Sequence, residues 1–256
     1  MKTLLIILFL TLTASAQTFT RVISLSPAIT EIVYFTGNGE KLIADTRYCT
    51  IPEEAKKKEK IGGIINPDIE KIISLRPDLV IGMNGNPKSI IETLKKFDIT
   101  VITFKIEKIE DIAKAIKEIG DTLSNNGNKK AKEFLKNYKQ AEKKLSHCIK
   151  GKRILIIFST NPIYTAGNQT FLGEIIEDAK AINIAGNGRY KTISPEFILK
   201  HKPDLTIFIS MTKNNNSLLN FLKTKTIHIS GKYLLKPGPY IIKGIKELEE
   251  KICQEN

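Results

Sequence analysis

The chain has 256 residues, of which 41% are hydrophobic and 26% charged, the composition of an ordinary globular protein. Its net charge of +13 raises a nucleic-acid partner, yet only five of the 40 basic residues are Arg, whose planar fork reads phosphates and bases. The lysines are scattered over helix faces with Glu nearby, which argues against nucleic acid and predicts a solvated surface with a general attraction to anionic lipid headgroups.

Lys2 precedes an apolar run from Leu4 to Leu10 that extends through Leu12, and Ala14-Ser15-Ala16 follows. A charged start, a short apolar centre and a small-x-small end predict a cleavable signal peptide over residues 1–16, because the run is too short to span a bilayer. The mature chain is expected to begin near Gln17 as a soluble periplasmic protein, with no Cys beside the cut to carry lipid. Arg21–Leu25 then reads as a buried strand, and Ser26-Pro27 caps a helix over Ala28–Phe35 that ends at Gly37-Asn38-Gly39. Lys41–Asp45 is a second strand. The helix Asp68–Leu75 passes through Arg76-Pro77 into a strand over Asp78–Ile81. Helix Ser89–Phe97, strand Thr100–Phe104 and helix Ile109–Leu123 complete an α/β lobe over residues 17–123, with a mostly parallel sheet.

Residues 124–128 break the pattern, and Ala131, Phe134, Leu135, Tyr138, Leu145 and Ile149 then recur at helical spacing. They predict a connecting helix within residues 124–150, about 30 Å long. Lys129–Ile149 contains no Gly or Pro, so the helix should be a rigid spacer. A second lobe over residues 151–256 opens with a strand at Arg153–Phe158, after which helix and strand alternate. The run Glu70 to Ile81 recurs as Glu196 to Ile207, with Glu, the apolar pair and Pro-Asp-Leu at an offset of 126 residues. Each copy leads into another helix and strand, Leu94–Val101 and Leu219–Ile227, so the second lobe reads as a duplicate of the first. Two similar α/β lobes joined by one helix place a cleft between them, where small-molecule sites tend to lie.

The segment Arg21 to Glu31 resembles the opening of the periplasmic proteins that bind cobalamin and iron complexes, the helical-backbone substrate-binding proteins of ABC importers. Thr46-Arg47-Tyr48-Cys49 with Pro52, Ile61-Gly62-Gly63 and Asn66 to Ile81 continue the likeness, as do Ser194 to Asp204 and Pro237-Gly238-Pro239. The resemblance covers nearly the whole mature chain. It implies limited closure, no catalysis, a monomer, and an ABC permease with its ATPase as partner. It also implies one acidic docking residue on each lobe, at Glu70 and Glu196, where a carboxylate meets a permease Arg. Either Glu alone would equally favour the positive end of its helix.

The ligand implied is a metal-bearing macrocycle, cobalamin or another corrinoid first, with haem or a ferric siderophore as the alternative. Tyr48, Met83, Asn84, Tyr164, Tyr190 and Tyr240 resemble positions that line the family's cleft. The chain departs from the pattern in having no Trp, and in placing Tyr240 after Pro-Gly-Pro where many relatives carry Arg. A Tyr ring suits a macrocycle's face or edge, a phenolate binds ferric iron, and the adjacent Arg47 and Arg189 suit ligand carboxylates.

Other chemistry finds little support. His147, His201 and His228 have no partner at metal-ligand spacing, and Gly37-Asn38-Gly39 and Gly186-Asn187-Gly188 lack a dinucleotide-binding context, so no resident metal or cofactor is expected. An exported enzyme carrying a metal cluster on a related scaffold is the competing class, but Cys49, Cys148 and Cys253 lack cluster spacing. Three cysteines cannot all pair internally. A Cys148–Cys253 bridge is one open pairing that geometry must decide, and Cys49 sits in a loop.

Overall fold

Strand β1 (Val22–Ser24) runs straight into helix α1 (Pro27–Phe35) because the Ser26 hydroxyl accepts from the Ile29 amide at 3.3 Å and Pro27 occupies the first turn. The computed structural model describes residues 18–211 and 225–254; residues 1–16, expected to be a signal peptide, and the stretch from Leu219 expected to form a helix lie outside them. The first lobe continues through β2 (Leu42–Asp45), β3 (Glu59–Lys60), α2 (Ile69–Ser74), β4 (Leu79–Met83), α3 (Lys88–Lys96), β5 (Thr100–Phe104) and α4 (Ile109–Ser124). Its sheet has the order β3-β2-β1-β4-β5, and every pairing is parallel. Both faces are covered, as a parallel sheet requires. Ile23, Val80 and Leu94 pack with Ile72 on one side, while Val22, Leu79 and Ile81 pack with α1 and α4 on the other.

Helix α4 ends on Asn125 in a left-handed conformation, φ 53°, and α5 (Gly127–Ile149) turns back against it. The helices approach closely at Gly120 and Gly127, where a Cβ on either would overlap the other strand of the turn. Ala131, Phe134, Tyr138, Ala141, Leu145 and Ile149 form the buried stripe of α5. Leu135, read from its spacing as part of that stripe, is exposed. One apolar cluster runs from α1 and α4 through α5 into the second lobe, so the lobes share a core.

The second lobe contains β6 (Arg153–Thr160), β7 (Ile163–Ala166), α6 (Phe171–Asp178), β8 (Ile182–Asn183), β9 (Tyr190–Ile193) and α7 (Pro195–His201). It continues with β10 (Leu205–Ser210), β11 (Thr226–Ser230), α8 (Gly231–Leu234) and α9 (Ile241–Gln254). Its sheet has the order β11-β10-β6-β7-β9, with β8 also beside β6. The β10–β11, β6–β10 and β6–β8 pairings are parallel and the β6–β7 and β7–β9 pairings antiparallel, so this sheet is mostly parallel, as expected, with an antiparallel edge. The cause is local: Asn161-Pro162 is a tight turn that returns the chain as a hairpin without a crossover helix.

The duplication is visible in hydrogen bonds as well as in sequence. Asp68 and Ser194 cap α2 and α7, accepting from Lys71 N at 2.9 Å and Phe197 N at 3.3 Å. Arg76 and Lys202, each before the Pro that ends its helix, both adopt positive φ, 46° and 42°. Asp78 then accepts from Arg21 N at 3.0 Å, and Asp204 from Arg153 N at 2.7 Å. The two arginines also donate to carbonyls at the ends of these helices, Arg21 to Leu75 and Arg76, and Arg153 to His201. A disulfide joins Cys148 at the end of α5 to Cys253 near the end of α9, with 5.5 Å between their Cα atoms.

Candidate ligand-binding cleft

Loops at the carboxyl ends of parallel strands frame a crevice in open α/β sheets. In the first lobe, Tyr48 follows β2 with 54% of its surface exposed, and the Arg47 guanidinium lies 5.8 Å from its ring centroid. The neighbouring Cys49 is a buried free thiol that meets the Thr30 and Thr46 hydroxyls, both at 3.2 Å. Burial pushes this thiol up to about 11, which keeps it protonated and unreactive at neutral pH. Met83 ends β4 half-buried, and Asn84 beyond it is exposed. Asn86, which drew no attention in sequence, is buried and organises this rim. Its Oδ1 accepts from Met83 N at 2.7 Å, and its Nδ2 donates to Leu25 O at 3.1 Å and Ile64 O at 3.0 Å. The loops after β1 and β4 are thereby tied to the one before α2. Only its neighbour Gly85, a turn residue, hinted at such a role.

The second lobe presents a wall of rings. Tyr164 lies opposite Thr192 and Tyr190 opposite Ala166, so the two tyrosines occupy the same face of neighbouring antiparallel strands. Their rings stack at 6.3 Å with 14° between planes. Phe158 stands behind them, its ring 5.8 Å from Tyr190 and 6.3 Å from Tyr164. Phe171, Leu172 and Leu235 complete this groove. The apolar members were legible only as core residues of strands and helices. Burial pushes the Tyr190 phenol up to about 12, Tyr164 adding to the effect and Arg189 opposing it, so Tyr190 stays a neutral phenol at pH 7.

Arg189 reaches from the second lobe to Glu107, beyond β5 in the first, in an ion pair of 2.5 Å. Glu107 also pairs with Lys105 at 3.0 Å. A further bridge between the lobes joins Ile109 N to the Glu174 carboxylate at 2.7 Å. Tyr240 lies in a different groove from Tyr164 and Tyr190, beside Tyr34, Pro52, Glu54, Lys57 and Lys58.

Glu70 and Glu196 sit exposed in the first turns of α2 and α7. The Ser194 hydroxyl beside Glu196 holds its carboxyl below the ordinary range. Two of the three histidines take packing roles, and His147 is exposed on α5. His201 Nδ1 lies 2.8 Å from Phe197 O with its ring against Phe197, and His228 packs edge-on to Phe208. Cys148, Cys253 and Glu249 bring ligand-type atoms within 4.8 Å of one another, but the two sulfurs are consumed by the disulfide. No helix among the described residues is long and apolar enough to cross a membrane.

The family profile described as periplasmic binding protein matches residues 22–227. An uncharacterized ABC transporter substrate-binding lipoprotein of Bacillus subtilis (strain 168) is 31% identical over 252 residues, which span 91% of this chain and 79% of the relative. A vitamin B12-binding protein of Pectobacterium carotovorum is 27% identical over 89% of this chain and 86% of its own. A periplasmic haem-binding protein of Pseudomonas aeruginosa, 20% identical, superposes with a TM-score of 0.78 over 91% of this chain and 92% of its own, a likeness of fold.

Proposed function

From the premise that the chain belongs to the periplasmic binding protein family, we propose that it captures cobalamin or another corrinoid and delivers it to an ABC permease. Members of this group serve ABC importers of vitamin B12, haem or iron complexes, and they bind and hand over solutes without transforming them. The observation that carries the ligand class is the stacked pair Tyr164 and Tyr190 backed by Phe158. Flat rings set over an apolar groove match the face and edge of a planar macrocycle better than they match a small hydrophilic solute.

Of the two arginines beside the candidate rings, Arg47 and Arg189, the second is already engaged by Glu107, which favours a corrinoid over a haem with two propionates to seat. Tyr48 on the opposite lobe supplies a second exposed ring, with Met83 and Asn84 beside it at the rim. Glu70 and Glu196 are the proposed docking points, one per lobe, for arginines of the permease. Calorimetry of the mature protein against cyanocobalamin, cobinamide, haem and ferric siderophores tests the ligand class. One-to-one binding of the corrinoids, with weaker or no haem binding, is expected. No heat with any of the four overturns the reading.

A further inference from the structure

Helix α1 carries a carboxyl group in an unusual place. Glu31 is 1% exposed, and neither of its side-chain oxygens meets a hydrogen-bond partner among the described residues. An unpaired charge so deeply buried is costly, so the surroundings must explain it. What covers Glu31 comes from the other lobe: the Lys236-Pro237-Gly238-Pro239-Tyr240 segment that joins α8 to α9. The approach is close enough that a Cβ on Gly238 would lie 2.5 Å from Glu31 Oε2. Lys236 Nζ stands 3.6 Å from Oε1, too far for a hydrogen bond, and is itself largely buried.

We propose that Glu31 is a positioning residue, a buried carboxyl group on which the Lys236–Tyr240 segment of the second lobe is seated, fastening the two lobes at one edge of the cleft. The groups facing it are the Lys236 ammonium and the Tyr240 backbone amide from the segment, and Lys243 from the first turn of α9. The two lysines only partly offset desolvation, and burial pushes the carboxyl up to about 8. Glu31 therefore holds its proton at neutral pH and fits beneath Gly238 as an uncharged group. The sign follows from linkage. Between the ordinary value of 4.5 and about 8 the seated form keeps a proton that the open form releases. The fastening is thus complete on the acid side of that window and weakens as pH rises through it, by at most about tenfold in the opening constant per pH unit. Because the contact involves no ligand atom, it stands or falls separately from the proposed corrinoid site.

Hydrogen exchange on the ligand-free protein tests this, with labelling times scaled for the intrinsic rate. Amides of residues 236–241 should be protected at pH 6 and open progressively up to pH 8, while the strands of both sheets stay protected. Glu31→Gln, an uncharged group of the same shape, should keep the segment protected at both values. Glu31→Ala should expose it at both. Gly238→Ala, which pushes the carboxyl from its seat, should expose it too, and in the Glu31→Ala background should add nothing further. Should Glu31→Ala not fold, the Gln variant and Gly238→Ala carry the comparison. A Gln variant as open as Gly238→Ala at pH 6, or a wild-type segment whose protection ignores pH, overturns the proposal.

Discussion

On the proposed reading Tyr164 and Tyr190 meet the ligand either as stacking rings or through a phenolate, and substitution separates the two. If the rings stack on a corrin, Tyr→Phe at either position should leave cyanocobalamin affinity nearly unchanged. Tyr→Ala should weaken it about tenfold, in line with roughly 0.5–1.5 kcal/mol per aromatic pair beyond area. A phenolate–iron site would instead show as loss of haem binding in Tyr190→Phe, and titration calorimetry of both variants distinguishes the cases. The acidic pair is tested apart from the cleft. Glu70→Ala or Glu196→Ala should leave ligand affinity intact and cost roughly 2–5 kcal/mol of permease binding, less if the contact stays wet. The double variant should nearly abolish reconstituted uptake, and reversal to Lys should be worse. If the residues only favour the positive ends of their helices, stability falls by about 0.3–1 kcal/mol per site with uptake intact. Full transport by the double variant would remove the docking role.

Two helices set the geometry that those residues need. Helix α5 is continuous across both lobes and buried along one stripe, and Tyr138 within it donates to the Asp178 carboxylate on α6 at 2.7 Å. Its end is tied to α9 by the Cys148–Cys253 disulfide, which closes a loop spanning 105 residues of sequence. The bridge therefore encloses all of the second lobe but its last three residues. Replacing both cysteines with Ser should lower stability by about 2–4 kcal/mol, or the thermal midpoint by about 5–15 °C. Differential scanning calorimetry of oxidised wild type and the double Ser variant checks this. Equal midpoints would mean that packing of α9 on α5 suffices without the bond.

The whole molecule is two sheets sharing one core through a connecting helix, with bridges between the lobes at Glu107–Arg189 and Glu174–Ile109 and a close packing contact of Glu31 against Gly238. Such a body has few soft joints. Its radius of gyration by small-angle scattering should change by no more than about 1 Å when cyanocobalamin binds, as in other pre-organised binders. A large compaction would refute the rigid-spacer reading. The buried acids give the ligand-free protein its pH dependence. Desolvation raises Asp45 to about 6 despite its 2.5 Å pair with Lys60, and Glu31 to about 8. Both hold protons that the unfolded chain releases, so their contribution to stability falls as pH climbs from about 4 to 8. Thermal midpoints of wild type and Glu31→Gln should coincide near pH 4.5, separate progressively up to about pH 8 and keep a constant gap above it, with the Gln variant higher.

Local chemistry was readable from the chain itself. Ser26-Pro27, the two Pro-Asp-Leu runs, the helical stripe of Phe134 to Ile149 and the alternation of strand and helix all depend on near neighbours, and short-range sterics and hydrogen bonds fix them. The same locality explains why the offset between Glu70 and Glu196 could announce a duplicated lobe. Tertiary structure alone decided the rest. The second sheet gained an antiparallel edge because one Asn-Pro turn sent β7 back along β6, a choice that hydrophobic pattern cannot distinguish from a crossover. Tyr164 met Tyr190 only through the β7–β9 register, and Cys148 found Cys253 only through the packing of α9 on α5. Glu31, by sequence an ordinary acid in the helix that follows Pro27, became a buried and neutral group because a segment about two hundred residues further along closes over it. Burial is a property of the whole fold, and so is the charge state it imposes.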